Sequence, residues 1–194
     1  MNGKHCTRTL AAVLLIAPMT VASQSMTVIG GESTAQQCYM SATLAAQLNI
    51  ASRQDLDSCN YALDHATISI RDRAATFLNR GIINVAIERY DDAKKDYERA
   101  RSLAPNHGEI YVNRGNIFFM GQVYDQAVTE YSQAIALGLV KKHIAHFNRA
   151  LAYEKMREFG KAEADYRTAI ELSPQWDLPK ARLLKLQEQQ AKDT

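Results

Sequence analysis

The chain has 194 residues, of which 46% are hydrophobic and 23% are charged. These fractions are typical of a globular protein and exclude a disordered, collagen-like or polytopic membrane chain. The net charge is only +2, and a nearly neutral protein lacks the basic field that favours binding to nucleic acids or anionic membranes.

The first 22 residues have the pattern of a secretory signal peptide. Lys4 and Arg8 form a basic start, residues 10–16 are an unbroken apolar run, and small residues follow up to Ala22. We therefore expect cleavage at Ala22 or one residue later, and export to the periplasm. The mature protein would be neutral, since cleavage removes two bases and no acid, and no membrane insertion is expected of it. The alternatives are a cytosolic helix and an uncleaved anchor, although a dozen or so apolar residues fall short of the roughly 20 that span a bilayer.

A flexible linker over residues 23–34 is expected to lead into a degenerate helical hairpin over residues 35–73. The two helices would be joined by a turn over residues 49–53. The midpoint between Cys38 and Cys59 falls next to the start of that turn, so in an antiparallel hairpin their thiols can face each other. An even number of cysteines in an exported protein favours a disulfide, which would stabilise the hairpin by roughly 3 kcal/mol. The alternative is a pair of buried free thiols.

Three units of about 34 residues follow, and their landmark residues recur in one register. The sequence Asn-Arg-Gly at 79–81 recurs at 113–115 and, as Asn-Arg-Ala, at 148–150. Three further positions repeat with the same offsets: Ala93, Ala127 and Ala162; Tyr97, Tyr131 and Tyr166; Ala100, Ala134 and Ala169. Apolar residues at helical spacing on both sides of a turn make each unit a helical hairpin. The small residues indicate that the two helices of each hairpin cross closely.

These units resemble the tetratricopeptide repeat, whose pattern runs Trp, Leu-Gly, Tyr, and then Ala, Phe and Pro. The positions that carry the resemblance are Phe77, Gly81, Ala93, Tyr97 and Pro105 in the first unit, Tyr111, Gly115, Phe118, Ala127 and Tyr131 in the second, and Ala150, Tyr153, Ala162, Tyr166 and Pro174 in the third. The order of cysteine pair, repeats and final helix is also similar to that of small exported bacterial members.

The resemblance implies an all-α fold, a right-handed α-solenoid of helix-turn-helix repeats with a C-terminal capping helix. The repeats would occupy residues 74–107, 108–142 and 143–176, and the capping helix and tail residues 177–194. A polar terminal helix keeps such an array soluble. We expect its apolar residues to face inward, namely Leu178, Ala181, Leu184 and Leu186.

The resemblance also implies that the first helix of each unit lines a concave groove that binds a peptide. The residues expected to face the groove are Asn79, Ile82, Ala86, Asn113, Asn116, Met120, Asn148, Leu151 and Lys155. The recurring asparagines Asn79, Asn113 and Asn148 would form a ladder of carboxamides, and each can pair with both backbone groups of an extended peptide. The alternative is that these amides hydrogen-bond within the scaffold.

A second surface is suggested by the arginines of the repeated motif, Arg80, Arg114 and Arg149. They could form a basic stripe for an acidic partner, or they could pack their stems and pair with nearby acids such as Asp96 or Glu130. The lysine-rich carboxylate clamp of chaperone-binding members is not seen in the sequence. Recognition of a chaperone tail is therefore not expected.

Catalysis has little support in the sequence. His143 and His146 have a spacing that can bind a metal, but no third ligand accompanies them, and no nucleophile elbow or phosphate-binding loop is present. We expect no enzyme activity, cofactor or metal site. The sequence predicts an exported interaction module that binds a protein or peptide partner. The alternative is a scaffold of the cell envelope that self-assembles through its cap or convex face.

Overall fold

The computed structural model describes residues 33–192, so the leader predicted over residues 1–22 lies outside the described residues. The described chain is helical throughout, and it contains no strand. The elements are α1 (Thr34–Leu48), a 3-10 helix (Arg53–Leu56), α2 (Asp57–His65), α3 (Ile70–Ala86), α4 (Tyr90–Leu103), α5 (Gly108–Met120), α6 (Tyr124–Ala136), α7 (Lys142–Lys155), α8 (Phe159–Leu172) and α9 (Asp177–Lys192). Of these helices, none combines the length and the apolar character that a membrane crossing requires.

The helices pack as consecutive hairpins. The most extensive contacts join α3 to α4, α5 to α6 and α7 to α8, and each hairpin also contacts the next one. One continuous hydrophobic core runs through the stack from α1 to α9. This arrangement confirms the all-α solenoid, in which a hairpin buries its apolar faces only by stacking on its neighbours.

Small residues bring the two helices of each repeat together, as the sequence predicted. A Cβ atom at Gly115 would lie 2.5 Å from Cε1 of the buried Tyr131 ring, and one at Gly81 would lie closer still to the ring of Tyr97. Ala150 takes the matching place in the third repeat and is fully buried. In the first two repeats the tyrosine ring occupies the space that a Cβ atom would need, so a side chain there would have to displace the ring.

The turn inside each repeat depends on one residue in the left-handed region. Glu88, Gln122 and Arg157 have φ values of 63°, 61° and 61°. The backbone N–H of the next residue then reaches back to a carbonyl near the end of the first helix, for example from Val123 to Phe118 at 2.9 Å. This conformation costs an L-residue about 1 kcal/mol or more, which glycine would not incur.

The N-terminal hairpin is closed by a disulfide between Cys38 and Cys59, with an S–S distance of 2.10 Å. Both sulfurs are fully buried between α1 and α2. Helix α1 begins after Ser33, whose side chain accepts from the N–H of Gln36, and it ends at Asn49 in the left-handed region. The pairing is the one that the spacing of the two cysteines favoured, and it excludes buried free thiols.

The C-terminal helix α9 covers the end of the stack, but two of the four residues expected to face inward, Ala181 and Leu184, are exposed. Leu184 is 59% exposed, whereas Leu186 is buried and Leu183 packs against the core. Leu178 packs against the core as expected. Pro179, Leu183 and Leu186 also face inward, and they follow helical spacing of four and three residues. The expected set left out Leu183 and included Leu184, which lies on the exposed face of the helix.

Candidate functional site: the pocket shared by the first helices

A pocket lies where α1, α3 and α5 meet, and we call it the first-helix pocket. Its lining consists of Ala45, Ala46, Asn49, Ile82, Val85, Ala86, Tyr97, Asn113, Asn116, Ile117 and Met120. None of these residues is charged. The enclosed space is only about 20 Å³, enough for about one water molecule, so the lining forms a shallow uncharged surface.

The structure brings together part of the predicted groove. Ile82, Ala86, Asn113, Asn116 and Met120 all line the first-helix pocket. The predicted residues outside this lining are Asn79 on α3 and Asn148, Leu151 and Lys155 on α7. For the residues inside the lining and for those outside it, contact with a peptide remains a prediction.

Helix α1 forms a wall of the pocket that the sequence prediction missed. Ala45, Ala46 and Asn49 belong to the disulfide-bonded N-terminal hairpin rather than to the three clear repeats. The sequence did contain a sign of this wall: the N-terminal hairpin follows the repeat pattern weakly, and in that pattern α1 has the position of a first helix. Following that pattern would have extended the groove by one helix.

The ladder of asparagines is largely buried and partly committed to the scaffold. Asn79, Asn113 and Asn148 are 5%, 4% and 7% exposed. The Asn113 amide donates to the backbone carbonyl of Glu109 at 3.0 Å, and the Asn148 amide donates to Asn116 Oδ1 at 3.0 Å. Two of the three amides thus hydrogen-bond within the protein, which is the alternative that the sequence left open.

The buried tyrosines of the second helices differ in their hydrogen bonds. The Tyr131 hydroxyl donates to Asn116 Oδ1 at 2.9 Å, and the Tyr166 hydroxyl donates to Glu154 Oε2 at 2.7 Å. Burial raises the pKa of all three phenols, so each is a neutral donor at physiological pH. Among the described residues, no acceptor is found for the hydroxyl of Tyr97, which borders the first-helix pocket.

The arginines of the repeated motif bind acids on neighbouring helices. Arg80 forms two hydrogen bonds to Asp96, at 3.0 and 2.7 Å. Arg114 bridges Glu130 of its own repeat and Glu98 of the preceding one, at 2.8 and 2.7 Å. These pairs match the second of the two interpretations offered by the sequence, in which the arginines support the scaffold.

In the third repeat, Arg149 binds Asp165 through two hydrogen bonds of 2.7 and 2.8 Å, and His146 Nδ1 lies 2.8 Å from the same carboxylate. Burial by itself would raise the pKa of Asp165. The hydrogen bonds from Arg149 and His146 outweigh it and hold the pKa below its ordinary value. The buried carboxylate is therefore ionised and paired, as a buried charge needs to be.

The two histidines considered as metal ligands lie in different surroundings. His146 pairs with Asp165, whereas the His143 ring lies edge-on to Trp176 with 5.4 Å between ring centres. Across residues 33–192, no group of three or more His, Cys, Asp or Glu side chains is arranged to hold a metal ion. His146 is thus hydrogen-bonded to Asp165, and His143 packs against Trp176.

Residues 78–138 and 143–175 match the tetratricopeptide repeat family. Over 103 residues, 53% of this chain, the sequence is 30% identical to the human tetratricopeptide repeat protein 6. It is 37% identical to the Hsp70-Hsp90 organizing protein 2 of Arabidopsis thaliana over 82 residues, 42% of this chain. The matches cover only 18% and 14% of those relatives.

Two solved structures share the fold. The Arabidopsis OM64 TPR domain superimposes with a TM-score of 0.59 at 22% identity, covering 62% of this chain and 99% of the domain. The first TPR domain of Spaghetti (RPAP3), bound to the HSP90 peptide SRMEEVD, superimposes with a TM-score of 0.59 at 21% identity. The match covers 62% of this chain and 95% of that domain. These structures show that the chain has the fold of tetratricopeptide repeat domains, and the models of that family match residues 78–138 and 143–175.

Proposed function

We propose that this protein is a non-enzymatic interaction module whose concave groove binds an uncharged, apolar peptide segment or partner helix. The observation that carries the proposal is the first-helix pocket, which is formed by three successive first helices and lined only by uncharged residues. Related domains include one named as bound to a peptide, which supports the class of ligand. The neutral lining favours a different ligand from that acidic peptide.

A selection from a phage-displayed library of random linear peptides tests this function. Selected peptides should be apolar, and their binding should be lost in Met120→Arg, which places a charge at the edge of the pocket on a partly exposed residue. Val140→Arg is the matched control, because Val140 is exposed and lies outside the pocket. Failure to select any peptide, or equal binding by both variants, would refute groove binding.

We also propose that the protein is exported to the periplasm. The basic start, the apolar run and the small residues before Ala22 support a cleaved leader. The buried disulfide fits an oxidising compartment. The mass of the protein purified from the periplasm should correspond to residues 23–194 or to a chain one residue shorter, and retention of Met1 would contradict the proposal.

Self-association is the second candidate function, and one feature of α1 favours it. Met40, Leu44 and Leu48 follow each other at intervals of four residues and are 46%, 53% and 58% exposed. No charged residue occurs between Glu32 and Arg53, so two copies could meet along this stripe without burying a charge. Light scattering across a concentration series should show a dimer that Leu44→Glu abolishes, whereas a constant monomer would exclude this function.

A further inference from the structure

Another cavity, of about 270 Å³, lies between the disulfide-bonded hairpin and the first repeat, and we call it the basic cavity. Its lining comes from the 3-10 helix, α2, α3 and α4. Among the described residues, none lines both this cavity and the first-helix pocket. The basic cavity is therefore a separate place from the groove of the proposed function.

The charges that line the basic cavity favour an anion. The charged residues are four basic and two acidic ones: Arg80, Arg89, Lys95, Arg99, Asp92 and Asp96. They leave a formal excess of two positive charges, and a cleft lined by an excess of one sign attracts ions of the other sign. An oxyanion that carries one or two negative charges would balance this excess.

The side chain of Arg99 is available to such an anion. Arg80 and Arg89 form salt bridges of 2.7 Å with the two acids of the cavity, and Lys95 lies 3.5 Å from one of these acids. Within residues 33–192, Arg99 forms no ion pair, and its guanidinium lies 5.6 Å from the centre of the Phe77 ring. A guanidinium that stacks on a ring keeps its N–H groups for an oxyanion, which its planar fork fits well.

The basic cavity also has a buried acceptor without a donor. Asn84 lines the cavity, is 3% exposed, and donates from its amide nitrogen to Asp96 Oδ2 at 3.0 Å. This hydrogen bond fixes which end of the carboxamide is the oxygen. In the part of the chain that the structure describes, Asn84 Oδ1 has no hydrogen-bond partner. Because a buried acceptor without a donor costs free energy, a fitting anion also carries a hydrogen-bond donor.

These features belong to the first repeat alone. The matching positions of the second and third repeats hold aromatic or uncharged residues: Phe118 and Tyr153 in place of Asn84, Gln133 and Thr168 in place of Arg99, and Thr129 and Ala164 in place of Lys95. An amide is smaller than either aromatic ring, so the change at position 84 leaves space as well as an acceptor. Building a repeat therefore requires neither the amide nor the two cations, which favours a function for them.

We infer that the basic cavity binds a phosphate group, free or as a monoester, through Arg99 and Lys95, while a hydroxyl of the phosphate donates to Asn84 Oδ1. A phosphate that retains a proton supplies both the negative charge and the donor. Arginine binds phosphate oxygens through strong, charge-assisted hydrogen bonds. The volume is several times the roughly 30 Å³ that one water takes up in the liquid, so the tetrahedral group has room.

Isothermal titration calorimetry of the purified protein with inorganic phosphate and with sulfate tests this inference. Both are tetrahedral oxyanions, but at neutral pH phosphate retains at least one proton and sulfate retains none. We expect sulfate to bind at least roughly tenfold more weakly, because one of its oxygens would face Asn84 Oδ1 without a hydrogen between them. Equal affinities would overturn the inference, and so would the absence of phosphate binding, since the cavity would then hold only water.

A matched pair of variants on α4 tests the role of Arg99. Arg99→Gln introduces the residue of the second repeat, and we expect it to bind phosphate about tenfold more weakly. Arg101→Gln is the control, because Arg101 is an exposed arginine of the same helix that lies outside the cavity and pairs with Glu98. Unchanged binding in Arg99→Gln, or an equal loss in both variants, would overturn the inference.

A third variant fills the cavity. Asn84→Phe introduces the aromatic residue of the second repeat, and it should abolish phosphate binding while circular dichroism shows an intact helical fold. A folded Asn84→Phe protein that binds phosphate like the wild type would contradict the inference. Since Arg99 is exposed, the test with Arg99→Gln does not depend on the folding of Asn84→Phe.

Titration with glycerol phosphate distinguishes the two sources of the phosphate group. Binding at least as tight as that of inorganic phosphate would assign the cavity to phosphate monoesters. Weaker binding would assign it to free phosphate, because the ester substituent would then be excluded.

Discussion

The three buried tyrosines provide a matched series in which the same atom is removed from three environments. Tyr97→Phe, Tyr131→Phe and Tyr166→Phe each delete one hydroxyl and leave the ring packed. Because the Tyr97 hydroxyl has no acceptor among residues 33–192 and the other two have one each, we expect the first substitution to change the free energy of unfolding far less than the other two.

The magnitudes follow from the hydrogen bonds. Tyr131→Phe should cost about 1 kcal/mol, the net value of one hydrogen bond, because Asn116 Oδ1 keeps the amide of Asn148 as a partner at 3.0 Å. Tyr166→Phe should cost about 1.5 kcal/mol, since its acceptor Glu154 is a carboxylate that water can partly rehydrate. Tyr97→Phe should lie within about 0.5 kcal/mol of the wild type.

Urea denaturation followed by circular dichroism measures these differences. Each kcal/mol should also appear as a shift of roughly 2–4 °C in the melting temperature for a chain of this size. The reasoning would be refuted if Tyr97→Phe destabilised the protein as much as Tyr131→Phe does, because its hydroxyl would then have a partner that the structure does not show.

Three further predictions concern the turns, the ion pairs and the disulfide. Gln122→Gly should raise the free energy of unfolding by about 0.5 kcal/mol in urea melts, because glycine adopts φ of 61° without strain, and a loss of stability would contradict the turn geometry. Arg149→Ala should cost about 3 kcal/mol at pH 7 because it leaves the buried carboxylate of Asp165 without its main partner. Since the lowered pKa of Asp165 gives stability that is present above its ordinary pKa of 3.8 and lost below it, this cost should shrink in melts below that pH, and a constant cost would refute the assignment. Reduction of the Cys38–Cys59 disulfide should destabilise the N-terminal hairpin by roughly 3 kcal/mol and speed amide exchange in α1 and α2, whereas unchanged exchange would show that packing alone holds the hairpin.

Much of the fold could be predicted from the sequence because repetition makes local patterns unambiguous. Three copies of the Asn-Arg-Gly/Ala motif in one register identify the first helices, and the recurring tyrosines identify the second ones. The two cysteines placed the turn of the first hairpin between them. The orientation of α9 was harder, because Leu183, Leu184 and Leu186 are all apolar and only contact with α8 decides which of them is buried.

The candidate site was harder to predict from the sequence, because a sequence does not show which polar side chains have a hydrogen-bond partner and which have none. An asparagine in a repeated position looks the same whether it faces a ligand or donates to a neighbouring carbonyl, as Asn113 and Asn148 do. Likewise, Tyr97 carries the same hydroxyl as its counterparts. Only the three-dimensional pairing shows that Asn116 accepts from Tyr131 and that Tyr97 borders the first-helix pocket.

The most direct test of the groove is to map where a selected library peptide binds on the ¹⁵N-labelled protein. The account predicts that the largest chemical shift changes cluster on the first-helix pocket and continue along α7, with residues such as Ala46, Ile82 and Met120 among them. Shift changes concentrated on the exposed faces of α4, α6 and α8 would place the binding surface on the second helices and contradict the account.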